Sequence, residues 1–307
     1  LSYLEPLAAL RVVNVINLIL VAASVIIVAR LFSFSRAESL LFVLLSGWGL
    51  ANCLRLGQLY IALSFSMLLG FSCYTKKRHT CAGVSYGLFV PIKYFPVVVV
   101  AYSIWKKESR LLIASFATIL ALCLLSVLVL GWEIHELFFR MVLGEHLQGN
   151  LTQQNPYSPA FQSFTSLFRR LFVFDEKLNP EPFIASYGLF SFLRVICTLV
   201  PTLLVFVLLN KLRKNPHVDA SALSVALLCL LGLLIAPATA TYHFVLLWLP
   251  VGILLRHFRA LKRKTTFALT TFLYAAIGFL PYGFFHQFDG KGLATLLAYP
   301  RLVLVIA

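Results

Sequence analysis

CAGVSYGLFVPIKYFPVVVVAYSIW, residues 81–105, is an apolar run long enough to cross a bilayer, yet it carries a lysine between two prolines at its middle. A charge at membrane depth costs several kcal/mol unless it is paired or faces water. Pro91 and Pro96 interrupt the helix that would satisfy the backbone there. A chain tolerates both features where the segment lines a polar cavity. Lys93 therefore predicts a membrane protein with a site for something anionic.

The flanks of this run sharpen the reading. Lys76, Lys77 and Arg78 precede it, and Lys106, Lys107 and Arg110 follow it. Short basic loops favour the cytoplasmic face, and a single crossing cannot put both there. A broken hairpin can. It enters from the cytoplasm, turns near Pro91–Pro96 and returns, holding Lys93 at the inner end of a cavity that opens outward.

Further out, the same pattern repeats. Apolar runs at 10–31, 38–54, 56–75, 110–131, 186–210, 219–236, 241–256, 266–285 and 291–307 join 81–105 to give about 9–10 expected spans. Basic residues recur at Arg30 and Arg36, at Lys211, Arg213 and Lys214, and from Arg256 to Lys264. With the two flanks above, these clusters hold more than half of the 26 Lys and Arg. The chain is 60% hydrophobic and 12% charged, about half the charge of a soluble domain. The expected class is an all-α polytopic membrane protein, a single transmembrane domain over 1–307. Its net charge of +15 reflects topology and not nucleic-acid binding. Starting without Met and ending in an apolar run, the chain reads as N-terminally truncated. The six cysteines lie in or beside apolar segments, without metal-ligand spacing, and read as small core residues.

On this topology residues 132–186 form a long extracytoplasmic loop. Residues 132–149 alternate apolar and charged residues with helical spacing, which predicts a helix lying in the membrane interface. The loop also carries an Asn150-Leu151-Thr152 sequon. Candidate site residues lie at the outward ends. Gly57-Gln58 reads either as a helix-start turn with a polar cap or as a functional pair at the outer end of a helix. Lys93 is a point charge suited to phosphate. Tyr242-His243 begins a helix and could donate to phosphate or hydroxyl, or serve structure alone. Asn155-Pro156-Tyr157-Ser158 and the Arg169-Arg170 pair supply polar groups in the long loop. The arginines suit a diphosphate or a lipid headgroup, or a place at headgroup level. The sequence carries no nucleophile–base signature and no P-loop.

Taken in order, these motifs resemble a known family. Leu56-Gly57-Gln58-Leu59-Tyr60, Ala82-Gly83, Gly87 and Lys93-Tyr94-Phe95-Pro96 are similar to the polyprenol-phosphate-dependent mannosyltransferases of the GT-C superfamily. These are of the mycobacterial phosphatidylinositol-mannoside and arabinan type, known also as a domain of unknown function. Asn155 to Ser158, Thr165 to Leu171, and Ala236-Pro237 through Tyr242-His243 to Pro250 extend the likeness, as does Tyr3-Leu4-Glu5-Pro6-Leu7. The resemblance implies a GT-C-like bundle on the extracytoplasmic face of a bacterial inner membrane. It would move a sugar, typically mannose, with inversion, from a polyprenyl phosphate to a lipid-linked or surface glycan. It implies no cofactor or metal, and a catalytic carboxylate upstream of Leu1. Lys93 and His243 would face the donor phosphate, and Gln58 and Asn155 the sugar or acceptor. An O-antigen-type ligase or polymerase, and a lipid or solute transporter, are the competing expectations. A transporter should show two similar halves, and Lys93 with its prolines has no counterpart in the second half.

Overall fold

A computed structural model describes residues 5–147, 154–214 and 219–307. Tyr3-Leu4 and the sequon at Asn150 lie outside the described residues. The chain is all-helical in character, with an isolated bridge between Asp175 and Asn179 among the described residues. In order the helices are α1 (Pro6–Phe32), α2 (Arg36–Leu44), α3 (Trp48–Arg55), α4 (Tyr60–Thr75), α5 (His79–Gly87), α6 (Val97–Trp105), α7 (Ser109–Leu130) and α8 (Trp132–Leu137). They continue with α9 (Gly144–Leu147), α10 (Phe164–Phe172), α11 (Tyr187–Arg213), α12 (Ala220–Ile235), α13 (Trp248–Ala260), α14 (Lys264–Phe279), α15 (Tyr282–His286) and α16 (Pro300–Ile306).

Four helical stretches among the described residues are long and apolar enough to cross a membrane: α1, α7, α11 and Thr241–Ala260. The α2–α3 pair, bent by 72°, makes a fifth if it is one span. Several other expected spans are shorter helices of 16 residues, namely α4, α12 and α14. One expectation is corrected. Residues 291–307 do not form a span, because they fold as a 3₁₀ turn over Gly292–Ala298 and the seven-residue α16. Pro300 starts the second piece, and Arg301 is 1% exposed. Hydropathy alone hides both.

The helices group into two compact units. The first holds residues 1–124, 219–230 and 242–279, and the second holds 125–218, 231–241 and 280–307.

Within the first unit the broken hairpin is plain. His79 Nδ1, at the start of α5, lies 3.3 Å from Glu108 Oε2, just before α7. Ser115 Oγ donates to the Gly83 carbonyl at 3.0 Å. A Cβ on Gly87 would lie 3.0 Å from Thr118 Cβ. So α5 and α7 run parallel from a common level, and residues 88–107 must climb away and return. Neither nine-residue arm, at about 1.5 Å per residue, could cross a bilayer alone. The two basic flanks therefore sit on one side, as their charge requires. Single cysteines at Lys76 and Lys106, in a background lacking the native six, should react with an impermeant thiol reagent from the same face. Labelling from opposite faces would break the hairpin assignment.

Helix ends on that side share one device. Lys77, Lys107 and Lys262 adopt φ of 58°, 57° and 55°. Each amide bonds the carbonyl three residues back, and the next amide bonds the carbonyl five back. These are Schellman closures with lysine where glycine is usual. A left-handed lysine costs about 1–2 kcal/mol, partly offset by the flexibility glycine would add. Lys107→Gly should therefore raise the melting temperature by about 2–4 °C, measured by thermal unfolding in detergent.

Candidate functional site

In the first unit the sequence candidates converge at the end of α4 remote from the basic loops. Gly57 (φ 62°) closes α3. Its amide meets the Leu54 carbonyl at 3.4 Å, and the Gln58 amide meets the Cys53 carbonyl at 2.9 Å. The Gly-Gln pair thus has a backbone reason for its glycine. The turn leads into Tyr60, the first residue of α4. Tyr60 is 5% exposed, and its Oη lies 2.6 Å from His243 Nε2. Tyr242 stacks on His243 with centroids 4.8 Å apart, and lies 5.3 Å from the Tyr60 ring. The Tyr242 carbonyl is anchored by Cys53 Sγ at 3.7 Å. Thr241–Leu247 is a 3₁₀ turn that runs straight into α13, which fixes both side chains.

Lys93 completes the group. Its Nζ lies 5.2 Å from the centroid of the Tyr60 ring, a cation–π contact that holds the ammonium without neutralising it. The Lys93 amide bonds the Phe89 carbonyl at 2.7 Å, one of the turns that replace regular helix between the prolines. Tyr60 begins α4, and Tyr74 near its other end donates to Glu108 at 3.4 Å. A helix of this length sets those two ends about 22 Å apart. Lys93 is therefore near the far limit of the hairpin, about one length of α4 from the basic loops.

The sequence reading named Lys93, Tyr242 and His243 but passed over Tyr60, though it quoted the residue inside a motif. The missing signal was tertiary. Only the fold sets Tyr60 against a histidine 183 positions away.

The second unit holds Asn155, Arg169 and Arg170. Asn155 Oδ1 accepts from the Tyr157 amide at 2.9 Å, which makes an Asx turn. Arg169 and Arg170 diverge, as neighbours on a helix must. Arg169 is 8% exposed, with its guanidinium 5.3 Å from the Phe190 ring and 5.9 Å from the Tyr157 ring. Burial raises the Tyr157 phenol above its usual range, and the Asp175 charge adds to this. Arg170 Nε meets Asp289 at 2.8 Å, and its NH1 reaches the Leu178 carbonyl and Asn179 Oδ1. Arg170 thus knits α10 to two loops. Gln162, which sequence reasoning missed, does similar work. Its Nε2 donates to the Ala298 and Pro159 carbonyls, and its Oε1 accepts from the Arg301 amide.

Chemically, the first group offers a cation, a phenol and an imidazole clustered around Tyr60. That set can bind a phosphate monoester or diester and move a proton to or from it.

The sequence model of glycosyltransferase family 87 matches residues 1–237 of the 307. Curated proteins and solved structures returned no match.

Proposed function

The chain belongs to glycosyltransferase family 87, a GT-C-type family of membrane glycosyltransferases, and from that premise we propose that it draws its sugar from a polyprenyl phosphate. The sugar proposed is mannose, and the acceptor is a lipid-linked or cell-surface glycan on the extracytoplasmic face of a bacterial inner membrane. The observation that carries this reading is Lys93. A lysine set between prolines and over the ring of Tyr60, whose hydroxyl meets His243, suits a phosphate that gains charge as it leaves.

In an inverting transfer the acceptor oxygen bonds the anomeric carbon as the carbon–oxygen bond to phosphate breaks. The phosphate keeps the electron pair, and a base takes the acceptor's proton. Lys93 stabilises the developing phosphate charge. His243, oriented through Nε2 by Tyr60, supplies or withholds a proton at a phosphate oxygen. Gln58 is assigned to the sugar, and Tyr242 to the stacking that holds the His243 ring. Asn155, Arg169 and Arg170 are assigned to the acceptor side.

The test is transfer by the protein in proteoliposomes, with radiolabelled polyprenyl-phosphate mannose and host lipid extract. Label moving to lipid or glycan supports the reading. Transfer from a diphosphate-linked glycan alone would favour a ligase, and flux without transfer would favour a transporter.

A further inference from the structure

At the opposite end of α4 the first unit contains a cavity of about 570 Å³ with no part in the transfer reading. Its wall is mixed in charge. Lys77 and Arg256 face Glu108 and Asp219, and Phe71 and Ala222 supply apolar surface. The four charges sum to zero, so the cavity suits neither a bare anion nor a bare cation. It suits a ligand carrying both signs.

One atom marks where the positive end belongs. His79 Nδ1 is buried and makes no hydrogen bond. It lies 3.3 Å from Glu108 Oε2, in an arrangement that is an ion-pair contact only if the ring is protonated. With the ring proton on Nε2, Nδ1 and Glu108 Oε2 are both acceptors, and two facing acceptors need a donor between them. A primary ammonium can donate to both. The negative end is set by Lys77, held exposed by its left-handed backbone, and by Arg256. Arg256 already bonds Asp219 and the Leu31 carbonyl, so it is positioned and not free to swing.

The cavity's level in the protein identifies the source. It sits where α4 ends and α5 and α7 begin, at the basic loops that border the membrane. We propose that it binds a zwitterionic phospholipid headgroup, with a primary ammonium between His79 and Glu108 and a phosphodiester toward Lys77 and Arg256.

The experiment measures thermal unfolding of the detergent-purified protein with phosphatidylethanolamine, phosphatidylcholine, phosphatidylglycerol or soluble phosphoethanolamine added. Phosphatidylcholine has the same charges but no ammonium N–H. Phosphatidylethanolamine should raise the midpoint by about 5 °C at saturation, with phosphatidylcholine giving little. Glu108→Gln should abolish the difference, and Lys77→Ala, at an exposed position, should weaken the response. Equal effects of ethanolamine and choline lipids, or a larger effect of phosphatidylglycerol, would overturn the proposal. Soluble phosphoethanolamine matching the lipid would overturn its membrane source. The readout is binding, so it stands apart from sugar transfer. If Glu108→Gln does not fold, the headgroup series on wild type with Lys77→Ala still decides.

Discussion

Lys93→Ala is expected to lower sugar transfer by about 10²–10³-fold, the range for removing one preorganised donor from a developing charge. The residue sits over the Tyr60 ring and takes part in none of the ion pairs among the described residues. Removing it should relieve the cost of a cation at depth, so the variant should fold at least as well as wild type. That combination separates a site residue from a structural one: activity falls while the melting temperature holds or rises. Lys93→Arg should recover only part of the rate, because a planar fork does not replace a compact ammonium beside an aromatic ring. Tyr60→Phe keeps the ring and removes the oxygen 2.6 Å from His243, and should cost about tenfold, one neutral hydrogen bond's worth. The loss for Lys93→Ala should fall on kcat at saturating donor, since charge on the leaving phosphate grows in the transition state. An unchanged rate would remove Lys93 from the donor site and leave the family membership untouched.

What could be read in the sequence followed from local chemistry. The hairpin was legible because two basic flanks around one apolar run conflict with a single crossing, and Pro91 and Pro96 name the place of the break. The long apolar helices α1, α7, α11 and Thr241–Ala260 were legible from hydropathy, whereas α4, α12 and α14 are shorter than the apolar runs alone suggest. The end of the chain was not legible, because an apolar run does not reveal that Arg301 is buried against Gln162 and the Leu280 carbonyl. The site was half legible. Lys93 and His243 stand out as polar residues among apolar ones. Tyr60 does not, because an aromatic residue at a helix start is ordinary until its partner arrives from the far end of the sequence. Arg169 and Arg170 read in the sequence either as a clamp or as residues at headgroup level, and the helix sends them to different neighbours.

Gly83→Val is expected to break the packing of α5 on α7. Gly83 and Gly87 are four apart on one face of α5, and both lie against α7. A Cβ on Gly83 would fall 2.3 Å from the Leu111 carbonyl oxygen, and one on Gly87 2.7 Å from the Ser115 carbonyl oxygen. Both obstacles are backbone, so neither can rotate aside. In lipid, helices gain little from apolar burial against each other and depend on such close approach. Here the approach also brings Ser115 Oγ within 3.0 Å of the Gly83 carbonyl. Even Gly83→Ala would force α5 and α7 apart, and valine adds two methyl groups to the same clash. An overpacking cost of about 3 kcal/mol corresponds to a midpoint lowered by roughly 10 °C, readable by thermal unfolding in detergent. The functional consequence follows from the hairpin. Separating α5 from α7 shifts the segment that turns at Pro91–Pro96, and Lys93 moves with it. A displacement of about 1 Å at a reacting group can cost about 10²-fold. Gly83→Val should therefore lose both stability and transfer, whereas Lys93→Ala loses transfer alone. If Gly83→Val kept the wild-type midpoint, the parallel packing of α5 on α7 would be wrong, and with it the route by which the hairpin carries Lys93 to Tyr60.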